Sequence, residues 1–136
     1  MNSHRLKISN TNPQIHIDNT SFQRNYWIKK NIYYHQNIVN FYKFSIPDST
    51  SILEIGCGNG YLLQSLKPKM GIGVDISEER IKEAKKLSKS FKNLNFLKMD
   101  AENIKIKSKF KFVILSDSIG CFSDVQKVFQ EIKKVS

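Results

Sequence analysis

The chain has 136 residues, with 22 Lys and Arg against 12 Asp and Glu for a net charge of +10, 40% apolar residues and two cysteines. That composition describes one globular domain, long enough to bury a core without a disulfide framework or a structural metal. Cys57 and Cys121 lie far apart and match no metal-ligand spacing, so a reducing, cytoplasmic location is expected; no apolar h-region opens the chain, and no window approaches the ~20 apolar residues of a membrane-spanning helix.

The positive charge raises nucleic acid as a partner, because Lys and Arg bind phosphates with release of counterions. Its distribution weakens that reading. Residues 1–50 carry six basic and two acidic groups, and residues 51–136 carry sixteen and ten. Most lysines, such as Lys82, Lys85, Lys86, Lys89 and Lys92, fall singly or in pairs on what read as solvated helix faces.

Residues 1–20 are polar and read as a flexible N-terminal arm. Phe22 to Phe44 then holds eight of the fifteen aromatic residues. Trp27, Ile28, Ile32, Tyr34, Ile38, Val39, Phe41 and Tyr42 recur at three- and four-residue steps, which predicts an amphipathic helix broken before Pro47. Such a helix either packs on a sheet or forms part of a lid, in which Tyr26, Tyr33 and Tyr34 would close over a ligand. His35, alone on an aromatic helix, reads as a packing or capping residue.

From Ser51 onward strands and helices alternate. Ser51–Ile55 is a short apolar strand ending at Gly56, and Tyr61–Lys67 a short helix stopped by Pro68. Gly71–Val74 is a second strand closing on Asp75. Ser77 is the expected N-cap of a helix reaching about Ser90, with Glu78 and Glu79 suiting the dipole of its first turn. Leu94–Leu97 and Phe110–Leu115 read as third and fourth strands. Ser123 or Asp124 caps a last helix with Val125, Val128, Phe129, Ile132 and Val135 on its apolar face. This order predicts an α/β fold, a Rossmann-like parallel sheet with helices on both faces.

The stretch Leu53-Glu54-Ile55-Gly56-Cys57-Gly58-Asn59-Gly60 carries the chemistry. A glycine turn from a first parallel strand into a helix lets backbone approach a ligand. Its spacing is G-x-G-x-G, so neither register completes the G-x-G-x-x-G of a dinucleotide site, and Glu54 would repel a pyrophosphate while suiting a cationic amino-acid group. Asp75 stands nineteen residues after Gly56, close to the ~20-residue offset at which a carboxylate reaches a ribose diol. Ile76 follows and can cover an adenine face. Asp100 and Ala101, after the third strand, offer a carboxylate and a backbone N–H to the base edge. Three strand ends thus converge on one nucleoside-shaped ligand. Gly71 and Gly73 read as turn and tight-packing glycines, Cys57 as a backbone donor rather than a thiol, and Cys121 as a small packing residue.

LEIGCGNG, GVDIS and the strand-end Asp100-Ala101 resemble the first three motifs of class I S-adenosylmethionine-dependent methyltransferases. Residues 31–35, 39–47, 113–120 and 124–129 are similar to a bacterial and archaeal subfamily in which such a domain is often fused ahead of a family 2 glycosyltransferase. The resemblance covers about residues 22–135. It implies a methyltransferase domain from residue 21 on, with a helical lid at 22–46 and a cofactor-binding core at 51–136. It further implies S-adenosylmethionine as cofactor, S-adenosylhomocysteine as product, no metal, and cofactor contacts by Glu54, Gly56, Cys57, Gly58, Asp75, Ile76, Asp100, Ala101 and Ser116.

Acceptor choice rests on the loop after the fourth strand. Ser116-Asp117-Ser118-Ile119-Gly120 is no Asn/Asp-Pro-Pro-aromatic grip for a base amine, and no Pro-Cys pair supplies a thiolate for pyrimidine attack. A small-molecule acceptor, or a glycan or lipid precursor, is therefore expected over nucleic acid, with Asp117 the one candidate base. The resemblance also implies C-terminal incompleteness, with four of the usual seven strands. The fourth would form an apolar edge awaiting a further segment or a second copy, and the chain alone would bind cofactor weakly. A non-catalytic scaffold of the same fold and a nucleic-acid-binding protein are the competing readings.

Overall fold

The computed structural model describes residue 26 and residues 29–136. The arm at 1–20, and Phe22, Trp27 and Ile28 of the aromatic segment, lie outside the described residues. Helix α1 spans Ile32–Ser45 and ends where Ile46, held extended (φ −113°, ψ 120°) ahead of Pro47, can no longer continue it. Strand β1 (Ser51–Ile55) leads through the glycine loop into α2 (Tyr61–Leu66), which stops at the left-handed Lys67 before Pro68. Strand β2 (Met70–Asp75) is followed by α3 (Glu78–Leu87). Ser77 caps α3 by accepting the Arg80 N–H at 3.3 Å, with Glu78 and Glu79 in the first turn and Lys85 and Lys86 in the last.

Strands β3 (Leu94–Lys98) and β4 (Phe112–Ile114) complete the sheet, and a 3-10 turn at Ile119–Cys121 precedes α4 (Val125–Val135). Asp124, rather than Ser123, caps α4, accepting the Lys127 N–H at 3.0 Å. All four strands are parallel in the order β3-β2-β1-β4. Chain order reverses between β1 and β4, so the crevice at their carboxyl ends is where open sheets of this kind bind ligands.

Alternation along β1 sends Ile52 to one face and Leu53 and Ile55 to the other. The first face packs against Val39 of α1, Leu62 and Leu63 of α2, and Ile81 and Ala84 of α3; the second packs against Val128 and Val135 of α4. Each Val, Leu or Ile among them contributes about 1.5–3 kcal/mol on burial.

Helix α3 ends at Leu87 rather than near Ser90, and two further expectations change. Strand β4 has three residues because the Phe110 N–H turns to the Val135 carbonyl (2.7 Å) and the Lys111 N–H to Ser51 Oγ (3.0 Å), outside the ladder. On α4, Val125 and Phe129 remain exposed, so the apolar stripe is wider than the surface it covers. Cys121 is also exposed, on the 3-10 turn, and does not serve as a packing residue. Strand β4 lies at the sheet edge, as the strand count implied.

Candidate functional site

The glycine loop folds onto β2 through its own backbone. Both the Gly56 and Cys57 N–H groups donate to the Val74 carbonyl, at 2.8 and 3.0 Å. The Gly58 N–H donates to Asp75 Oδ2 at 2.9 Å, and the Ser77 N–H to Asp75 Oδ1 at 2.9 Å. Asp75 therefore ties the loop to the start of α3 while keeping further carboxylate lone pairs in hand. These inward bonds correct one expectation: the Cys57 N–H is engaged within the protein, and its thiol is buried.

Gly56 and Gly60 are required on two counts. Their φ angles are +74° and +76°, and an added Cβ would stand 2.4 Å from Ser118 Cβ or 2.5 Å from the Phe96 ring. Gly58, at φ +55°, differs, since a Cβ there would meet no protein atom within 4 Å. It faces the open space of a cleft.

That cleft has walls from four parts of the chain. Glu54, Gly56, Cys57, Gly58 and Asn59 form the β1 side, and Tyr61 and Leu62 the start of α2. Ser116 and Asp117 come from the loop after β4, His35, Ile38 and Val39 from α1, and Arg80 from α3. Glu54 is buried at the floor. Asp75, Ile76, Asp100 and Ala101 are not among the walls. They stand at or just after the ends of β2 and β3, Ile76 and Asp100 exposed and Ala101 with its methyl in the core. Arg80 links the two groups, its Nη1 lying 3.9 Å from Asp75 Oδ2.

Helix α1 is fastened across the mouth. The Tyr34 hydroxyl donates to Asp117 Oδ2 at 3.3 Å, and Tyr42 is hydrogen-bonded to the Ser116 side chain. Burial raises the Tyr42 phenol above its ordinary pKa, that bond opposes the rise, and the Glu54 and Asp117 carboxylates add to it. His35 lies edge-on to both Tyr34 and Tyr61, with centroids 5.4 and 6.1 Å away, so it belongs to the cleft wall. Tyr26 and Tyr33 do not line the cleft; both are exposed.

Sequence reasoning missed Asn59, Tyr61, Arg80 and Tyr42 as cleft or near-cleft groups. It also missed two straps. Ser118 Oγ donates to the Ile55 carbonyl at 3.0 Å, joining the β4 loop to β1. Glu102 Oε1 accepts from the Ser123 and Asp124 N–H groups at 3.0 and 2.9 Å, fixing the approach to α4.

Burial first, then the Glu54 and Asp75 carboxylates, pushes the Cys57 thiol well above its usual range. A thiol-disulfide reagent at mildly alkaline pH is expected to titrate Cys121 alone in the native protein and both cysteines after denaturation. Two fast thiols in the native state would contradict this. Because the folded pKa is the higher one, the contribution of Cys57 to stability is intact below the ordinary thiol range, about 8.5, and falls as pH rises through it.

A family model described as a methyltransferase domain matches residues 46–136. The malonyl-[acyl-carrier protein] O-methyltransferase of Bacillus anthracis is 30% identical over 94 residues, covering 66% of this chain and 35% of that protein. The chain thus spans about a third of that relative's length. A SAM-dependent methyltransferase from Aquifex aeolicus has a TM-score of 0.64 at 22% identity, covering 71% of this chain and 55% of that one. A SAM-dependent methyltransferase from Geobacter sulfurreducens, solved in complex with S-adenosyl-L-homocysteine, gives 0.59 at 16% identity over 74% and 42%. With a parallel sheet, a glycine loop at its switch point and a family match over most of its length, the chain belongs to the methyltransferase-domain family.

Proposed function

We propose that this chain is the cofactor-binding portion of an S-adenosylmethionine-dependent methyltransferase, acting on a small molecule or on a glycan or lipid precursor. The observation that carries the reading is the buried Glu54 carboxylate on the floor of a cleft bordered by Gly56 and Gly58. A carboxylate there suits a cationic α-amino group and disfavours a pyrophosphate. The inward bonding of the Gly56, Cys57 and Gly58 N–H groups argues the same way, since those donors are not offered to a phosphate.

When bound, S-adenosylmethionine supplies an activated methyl group on a sulfonium, and the protein contributes orientation and exclusion of water. In this reading Glu54 holds the amino-acid end beside Gly56, Cys57 and Gly58. Asp75 reaches the ribose through its remaining lone pairs, Ile76 covers an adenine face, and Asp100 and Ala101 meet the base edge. Ser116 adds a further cofactor contact, Asp117, the candidate base, stands where the acceptor would enter, and the segment at 22–46, which includes α1, serves as lid.

Calorimetric titration tests the reading. Saturable binding of both S-adenosylmethionine and S-adenosylhomocysteine, near one per chain, is expected. Silence for both ligands would favour a scaffold of the same fold.

A further inference from the structure

Helix α1 has two faces, and the site uses only one of them. His35, Ile38 and Val39 line the cleft, whereas Tyr33 and Phe44, three turns apart on the opposite side, are 76% and 93% exposed. Phe41 lies beside them at 64%, and Tyr26, just ahead of the helix, is 58% exposed. An apolar row of this kind along the solvent side of a helix is unusual and marks an interaction surface.

Charge identifies the partner. From residue 19 to residue 47 the sequence has no Asp or Glu but carries Arg24, Lys29, Lys30 and Lys43. Lys29, Lys30 and Lys43 are exposed, and the Lys30 ammonium lies 5.1 Å from the Tyr26 ring centroid. Exposed rings interleaved with lysines and free of acidic groups match an anionic lipid surface on both counts, since aromatic side chains suit the headgroup level and lysines its charge. A protein partner or a second copy would meet the same rings, but a second copy would bring like charge against like charge.

We propose that the outer face of α1 docks this protein on anionic membrane surfaces, with Tyr26, Tyr33, Phe41 and Phe44 entering the interface and Lys29, Lys30 and Lys43 pairing with lipid phosphates. No described helix is long and apolar enough to cross a membrane, and the contact proposed is made by this surface alone. Because the other side of α1 walls the cleft, docking holds the cleft about one helix diameter (~10 Å) from the lipid surface, a position that suits an amphiphilic acceptor. That acceptor class rests on the methyltransferase reading; the docking itself does not.

The test uses the 136-residue chain without cofactor and vesicles of phosphatidylcholine with or without phosphatidylglycerol, the bound fraction being read by sedimentation. Binding at least about tenfold tighter to the anionic vesicles is expected, weakening as salt is raised. The triple variant Tyr33→Ser, Phe41→Ser, Phe44→Ser should lose about tenfold in binding or more, while its thermal melt stays close to native because the three rings are mostly exposed, Phe41 alone touching another ring, that of Tyr42. Lys29→Glu, Lys30→Glu and Lys43→Glu together should abolish the preference for anionic lipid. Absent vesicle binding, binding indifferent to both variants, or a dimer that the serine variant dissociates while vesicles are ignored would each overturn the proposal. A failed cofactor titration would leave it standing.

Discussion

Replacing Phe96 by Ala is expected to cost about 3–5 kcal/mol of folding stability, the range for emptying a buried aromatic site. Phe96 is 1% exposed in the middle of β3. Its ring occupies the slot that two glycines leave open. A Cβ at Gly60 would stand 2.5 Å from it and one at Gly73 2.6 Å. Removing the ring leaves a cavity bordered by Gly60 and Gly73, which have no side chains to fill it. Against the ~5–15 kcal/mol that holds a typical domain together, such a loss is a large fraction of the total. Equilibrium urea unfolding measures it, and a change below about 1 kcal/mol would mean that the site relaxes around the gap.

Asp75→Asn should weaken S-adenosylhomocysteine binding by about 10–100-fold, the equivalent of one charge-assisted hydrogen bond. Both carboxylate oxygens accept backbone N–H groups, from Gly58 and from Ser77. An amide has only one acceptor atom, so in the variant an NH2 must face a backbone N–H, leaving a buried donor unmet at about 1–3 kcal/mol. The glycine loop and the start of α3 lose their common anchor, and Arg80 loses its nearby counter-charge. Calorimetry should therefore show weaker binding together with a lowered melting temperature. An affinity within about twofold of the parent would remove Asp75 from the site, since even a weak hydrogen bond exceeds that.

The legible parts of this chain are those written in local pattern. The apolar run Ser51–Ile55 followed by glycine, the Ser77 cap with its two glutamates, and Pro68 and Pro47 as stops all have causes within a few residues, and each element formed near its predicted place. Gly71 and Gly73 were legible as packing glycines for a related reason, since a tight parallel pair needs small residues somewhere. What stayed hidden depends on contacts between distant residues. Tyr34 meets Asp117 across 83 positions and Ser118 meets Ile55 across 63, and no periodicity reports either.

The aromatic helix is legible only in part. Its three- and four-residue steps correctly predict a helix, but aromatics fall all around it. Pattern alone could not say that Val39 would be buried while Phe44 faced water. That choice is made by the tyrosines that fasten it over the β4 loop.

The doubly used Val74 carbonyl bears on the entropy of recognition. Because it accepts two successive N–H groups, and Asp75 the next, the glycine loop is ordered by the sheet before any ligand arrives. A ligand entering the cleft does not have to freeze a floppy turn, so the conformational cost of binding falls on α1 and the ligand itself.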